Sequence, residues 1–265
     1  MNDEIINKWQ DLRYIFINYN EILKDILINL NGQKTIRYEH YLWDIIARYR
    51  YNIESMIALI PLVIEDSRLK LSFNLITRSL ASDVITSFYL ISLYDEDLRP
   101  TEALKNELDI LSAEYMMFLK ETQNIELNTD DKEYDDDLKN LSITLFNEEG
   151  NLKKKKELRK TTEEYFKSKL NNSGNFISEN QKYTYIKKVS KSYDLSKVFL
   201  AYKYYSQFQH FNLMSKKLIE NETKIELTHL SNIIDSLVNS VDVVLIISNI
   251  SVEKYRSQLK QLHEL

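Results

Sequence analysis

Glycine and proline are almost absent from this chain, with 3 Gly and 2 Pro in 265 residues. Both residues are the usual punctuation of turns and strands. A chain so poor in them is restricted to long elements joined by a few polar connections. With 43% hydrophobic and 28% charged residues, the balance is globular rather than disordered. The expected fold is all-α, a bundle of long helices in a single domain spanning 1–265, with residues 121–175 as a charged insertion or extension.

The hydrophobic pattern divides the chain into candidate helices. Residues 3–30 carry apolar positions at Ile5, Trp9, Leu12, Phe16, Ile22, Ile26 and Leu30, and Asn31-Gly32 supplies a stop signal. Residues 34–64 repeat at Tyr38, Leu42, Ile45, Tyr49, Ile53, Met56 and Ile60, the period of one helix face. Pro61 is expected to kink or end that helix. Residues 67–94 carry two stripes, one through Leu69, Phe73, Ile76, Leu80, Val84, Phe88 and Ile91, the other through Leu71, Leu75, Arg78, Ser82, Ile85 and Tyr89, which predicts a central helix. Pro100 opens a fourth segment over 101–122. Helices are expected over 179–191, over a Tyr-rich stretch at 195–221, and over 224–262, where VVLII at 243–247 is apolar all round. The 18 Tyr predict half-buried faces with hydroxyls that find partners.

The middle of the chain differs. Residues 121–137 hold eight acids against one Lys, and 153–160 hold six basic residues against one acid. These blocks read as solvated faces, or as a docking arm for a partner.

Several chemistries are excluded. With no Cys there is no disulfide, thiolate nucleophile or Cys metal site. Three scattered glycines cannot build a phosphate-cradling loop of the GxGxxG or Walker type. GxSxG and HExxH are absent, and no Glu-x-x-His pair occurs twice, so neither a cofactor nor a metal is expected. The N-terminus, MNDEIINKWQDL, lacks a basic stretch followed by an apolar core. The most apolar stretches, 75–93 and 237–252, fall short of the roughly 20 uninterrupted apolar residues of a membrane span. The expected location is therefore cytoplasmic. A net charge of −5 predicts no general affinity for nucleic acid.

Polar residues that interrupt apolar stripes are the candidate site. Tyr202, Ser206 and His210 are spaced by four on a face that also carries Leu195, Phe199 and Leu213, so their polar tips stack. Arg78 and Ser82 interrupt a stripe of the central helix. A guanidinium among apolar side chains needs a partner. Asp83 is no automatic mate, because five residues along a helix place it about 140° around from Arg78. Arg50 and Glu54 read as an exposed helix pair. If the two helices bring Arg78, Ser206 and His210 into one cleft, Arg78 would hold an anionic group and His210 would move a proton.

The stretches LITRSLASDVITSFYLISLYDED (75–97) and YDLSKVFLAYKYYSQFQHFN (193–212) resemble a poorly characterised group of bacterial all-helical domains. Its members carry an Arg near the middle of one long helix and a Ser-x-x-x-His or Ser-x-x-His pattern late in the domain. That group is similar in architecture to the HEPN superfamily of helical RNases, toxins and antiviral proteins. The resemblance implicates Arg78, Ser206 and His210. Family members often show an acid four residues after the Arg, where this chain has Ser82. HEPN nucleases place Arg and His in one helix, and the nearest such spacing here is Arg256 to His263.

Three functional classes follow. A component of a bacterial defence or toxin–antitoxin system, with protein or RNA as partner, is expected to show an exposed patch or a symmetric dimer. A metal-independent RNase is expected to show a basic cleft around Arg78 and His210. A small-molecule-binding bundle is expected to show a closed cavity lined by Tyr.

Overall fold

The computed structural model describes residues 3–31, 39–108, 178–190, 193–209, 223–255 and 257–258. Of this part 87% is helical and none of it lies in a strand, so the fold is all-α. The principal helices are α1 (Asp3–Asn31), α2 (Glu39–Glu65), α3 (Lys70–Ile91), α4 (Glu179–Val189), α5 (Ser196–Ser206) and α6 (Thr223–Ile247). Short 3-10 turns precede α3 at Ser67–Leu69 and follow α5 at Gln207–Gln209.

The chain forms two compact units. The first comprises Met1–Lys34, Tyr41–Ser92 and Ser178–Leu265; the second comprises Thr35–His40 and Leu93–Ile177. In the second, the Asp95 carboxylate accepts the backbone N–H groups of Asp97 and Arg99 and so shapes a turn. Residues 102–108 then begin a helix after Pro100. The expected charged insertion at 121–175 lies outside the described residues.

In the first unit α3 is the central helix, packed against α4, α5 and α6. Trp9 of α1 meets Phe73 edge-on at 5.0 Å between ring centroids. From α2, Arg48 and Asn52 donate to Asp83 at 3.0 and 2.9 Å. Of the first stripe, Phe73, Leu80, Val84, Phe88 and Ile91 are buried, while Leu69 and Ile76 are half-buried. The second stripe is only partly buried: Ile85 and Tyr89 are inside, while Leu71 and Leu75 are exposed. Most of the buried positions of α3 lie from Thr77 onward. Each large apolar side chain taken out of water contributes about 1.5–3 kcal/mol.

Two local features have clear causes. Pro61 lies inside α2, which runs on to Glu65. Proline lacks the N–H that would bond the carbonyl four residues back, at Ile57. Arg13 of α1 donates to that carbonyl from Nε at 3.3 Å and so replaces the missing donor. The last helix ends at Ile247 rather than continuing to residue 262. Asn249 takes a left-handed conformation with φ 54, and the N–H groups of Asn249 and Ile250 turn back to the carbonyls of Ile246 and Leu245. That is a Schellman C-cap with Asn in place of Gly.

By length and composition Glu226–Ile247 is apolar enough to cross a membrane. In the fold it is a core helix packed against α3 and α5, with Leu230, Ile233, Leu237, Val241 and Leu245 buried. Two hydrogen bonds tie it and the residue after it to α2: the Tyr49 and Ser240 hydroxyls pair at 2.9 Å, and the Trp43 indole N–H donates to Ser248 Oγ at 2.9 Å.

Candidate functional site

The α3 positions Arg78, Ser82 and Thr86 are four apart and face α4 and α5, and all three are half-buried. Arg78 donates from Nε to Ser206 Oγ and from Nη2 to the Tyr202 hydroxyl, both at 3.2 Å. Its guanidinium carbon also lies 5.1 Å from the centre of the Tyr202 ring. Ser82 donates to Glu179 Oε1 at 2.8 Å. Lys182 donates to Thr86 Oγ1 at 3.0 Å. The Tyr202 hydroxyl donates in turn to Glu179 Oε2 at 3.3 Å. These contacts form one polar seam across three helices.

Local sequence places each member. Ser178 and Gln181 form a capping box that starts α4 and sets Glu179 in its first turn. A carboxylate there is favoured by the helix dipole. On α5, the four-residue spacing puts Tyr202 and Ser206 on one face. The Ser206 hydroxyl donates to the Tyr202 carbonyl at 2.7 Å, so it meets Arg78 as an acceptor.

The electrostatics follow from those bonds. Burial works to raise the Glu179 carboxyl. The bonds from Ser82 and from its own backbone amide, the Lys182 charge and the Tyr202 hydroxyl outweigh that and hold it below the usual carboxylate range. Glu179 is therefore ionised at neutral pH. Among the described residues no carboxylate forms an ion pair with Arg78, whose partners are two hydroxyls and a ring face. Nε and Nη2 are the two atoms of the side edge of a guanidinium. The end edge, formed by Nη1 with the second Nη2 hydrogen, has no partner among the described residues.

Arg78 and Ser206 are in contact. His210, Arg256 and His263 lie outside the described residues. Asp83 turns away from Arg78 to Arg48 and Asn52 of α2, and burial pushes its carboxyl up despite them. Arg50 and Glu54 pair at 2.9 Å, with Glu54 exposed and Arg50 half-buried. Glu179 and Lys182 are members of the seam that stripe reasoning did not single out.

A second polar cluster went unnoticed in the sequence. Lys70 of α3 pairs with Glu226 of α6 at 3.3 Å, both side chains being less than a tenth exposed. Asn74 donates to the same carboxylate at 3.2 Å, and the Tyr205 hydroxyl donates to the Glu226 carbonyl at 2.9 Å. Lys70 and Asn74 share a face of α3 by their spacing, which is the only sequence signal for it. The cluster is closed and joins α3, α5 and α6.

A cavity of about 290 Å³ between α1 and α6 is lined mainly by apolar side chains such as Leu12, Ile15, Leu230 and Ile234, with Tyr19 its one tyrosine. Among the described residues no group of three His, Asp or Glu is placed to hold a metal ion. Comparison with family models, with curated proteins and with solved structures finds no match.

Proposed function

We propose that this protein is a cytoplasmic recognition component of a bacterial defence or toxin–antitoxin system, and that the seam of Arg78, Tyr202 and Ser206 takes hold of an anionic group on its protein or RNA partner. One observation carries the reading: a half-buried guanidinium is held in place by neutral hydroxyls, and its end edge meets no described acceptor. Taking a guanidinium out of water is costly unless an opposite charge and hydrogen bonds compensate it. Here the carboxylate of the seam, Glu179, is linked to Arg78 through the Tyr202 hydroxyl. Fixed by two bonds, Arg78 loses little further freedom on binding, which favours affinity. The test is calorimetric titration of inorganic phosphate into the wild-type protein and Arg78→Gln. Binding by the wild type alone supports the reading, and equal behaviour of the two proteins overturns it.

A second reading, a metal-independent RNase, is favoured by the Arg78–Ser206 contact, which joins two residues that the resemblance to HEPN-like domains implicates. In it His210 carries the proton. The Ser206 hydroxyl is committed to the Tyr202 carbonyl, so Ser206 holds the arginine rather than acting as a nucleophile. Cleavage of RNA by the wild type and its loss in His210→Ala would support this reading. The absence of cleavage by purified wild-type protein would remove it and leave the recognition role.

A further inference from the structure

The inference here rests on the seam being an anion site. We propose that Glu179 is a built-in occupant of that site and that α4 is a detachable plug, displaced by an incoming phosphate-class oxyanion.

The attachment of α4 is unusually polar. Helices α4 and α5 are both 11 residues long. Four residues of α5 are buried, Val198, Ala201, Tyr202 and Tyr205, whereas on α4 only Ile186 is. The side-chain bonds of α4 to α3 and α5 are those of Glu179 to Ser82 and Tyr202, and of Lys182 to Thr86. Ring contacts of Tyr185 with Tyr89 and of Tyr183 with Phe199 add to them at the edge. Polar bonds exchange with water at small net cost, so an element held mainly by them opens more readily than one anchored by apolar burial.

What α4 would leave behind is a formed cradle. Ser82 and Arg78 stay on α3, and Tyr202 and Ser206 stay on α5. Those two helices pack on each other directly and share the closed Lys70–Glu226 cluster through α6. The planar Glu179 carboxylate uses the Ser82 and Tyr202 hydroxyls and leaves the end edge of Arg78 without a described partner. A tetrahedral oxyanion offers a third oxygen and a second negative charge, so it can take both hydroxyls and the guanidinium together. Phosphate and Glu179 then compete for the same two hydroxyls, and occupancy by one excludes the other.

The experiment uses the full chain, wild type and Glu179→Ala, with inorganic phosphate as the probe. Calorimetry gives affinity, and hydrogen exchange reports opening of α4. If the plug is closed about 90% of the time, phosphate binds Glu179→Ala about tenfold more tightly than wild type. In the wild type, phosphate accelerates exchange of α4 amides while α3 and α5 stay protected. Glu179→Gln, which keeps the side-chain shape, gives the same direction of change and guards against a simple folding defect. Equal affinities, with α4 exchange unmoved by phosphate, overturn the plug and leave the anion site standing. Binding by neither protein overturns both.

Discussion

Arg78 and Ser206 stand 128 positions apart in the chain and meet through a hydrogen bond of 3.2 Å between Nε and Oγ. The bond is directional, because Ser206 gives its own proton to a backbone carbonyl. Ser206→Ala therefore removes an acceptor and is expected to cost about 1 kcal/mol. Arg78→Ala also removes the bond to Tyr202 and the contact with its ring, for about 1–3 kcal/mol. Urea denaturation of the two variants gives the order, with Arg78→Ala the less stable.

The buried pair of Lys70 and Glu226 gives a larger effect. Both side chains are more than nine-tenths buried. Lys70→Met leaves the carboxylate without its cation and is expected to cost about 3–5 kcal/mol. The double variant with Glu226→Leu should recover most of that loss, because it removes the stranded charge. A double variant no more stable than Lys70→Met contradicts the role assigned to the pair.

His229 supplies a pH dependence with a definite sign. Burial lowers its pKa from 6.5, so the unfolded chain takes up a proton at a higher pH than the folded one. Its contribution is fully present above pH 6.5 and declines as pH falls below that value toward the lowered folded pKa. The raised carboxyls of Asp83 and Glu226 act in the opposite sense on acidification, so the wild type is compared with His229→Gln. Melting temperature should fall less between pH 7.5 and 5.5 in the variant (range about one unit either side of the free His value). Parallel curves would remove His229 from this account.

The cap on α6 is testable by backbone chemistry alone. Asn249 adopts φ 54, where glycine is at ease and branched residues are not. Asn249→Gly should be neutral or slightly stabilising, and Asn249→Val should cost about 1–2 kcal/mol. Thermal unfolding of both variants decides it; equal melting temperatures would mean the Schellman turn is not held there.

What the sequence revealed follows physical range. Arg78 and Ser206 were legible because each breaks an apolar stripe, and a polar tip in such a place calls for a partner. Glu179 was not, because its capping box marks only a helix start, and its partner Ser82 lies 97 residues away. The Lys70–Glu226 pair crosses an even wider gap with no local mark on either residue. At Pro61 the local rule met a tertiary substitute, Arg13, and the helix continued. At Asn249 the apolar run of 243–247 masked a stop signal that only the positive φ makes plain. The all-α fold needed none of these details, since the scarcity of Gly and Pro and the three–four spacing already exclude the alternatives.

In the proposed site Arg78 is fixed by two hydroxyls and offers its end edge to an anion. The most direct measurement is nitrogen-15 NMR of the arginine Nε–H groups during titration with inorganic phosphate, with Arg78→Lys assigning the Arg78 signal among the 9 arginines. The account predicts a distinct, slowly exchanging Arg78 signal before phosphate is added, which then shifts in a saturable way while those of exposed Arg48 and Arg68 move little. An Arg78 signal averaged with the exposed arginines, or one indifferent to phosphate, would contradict it.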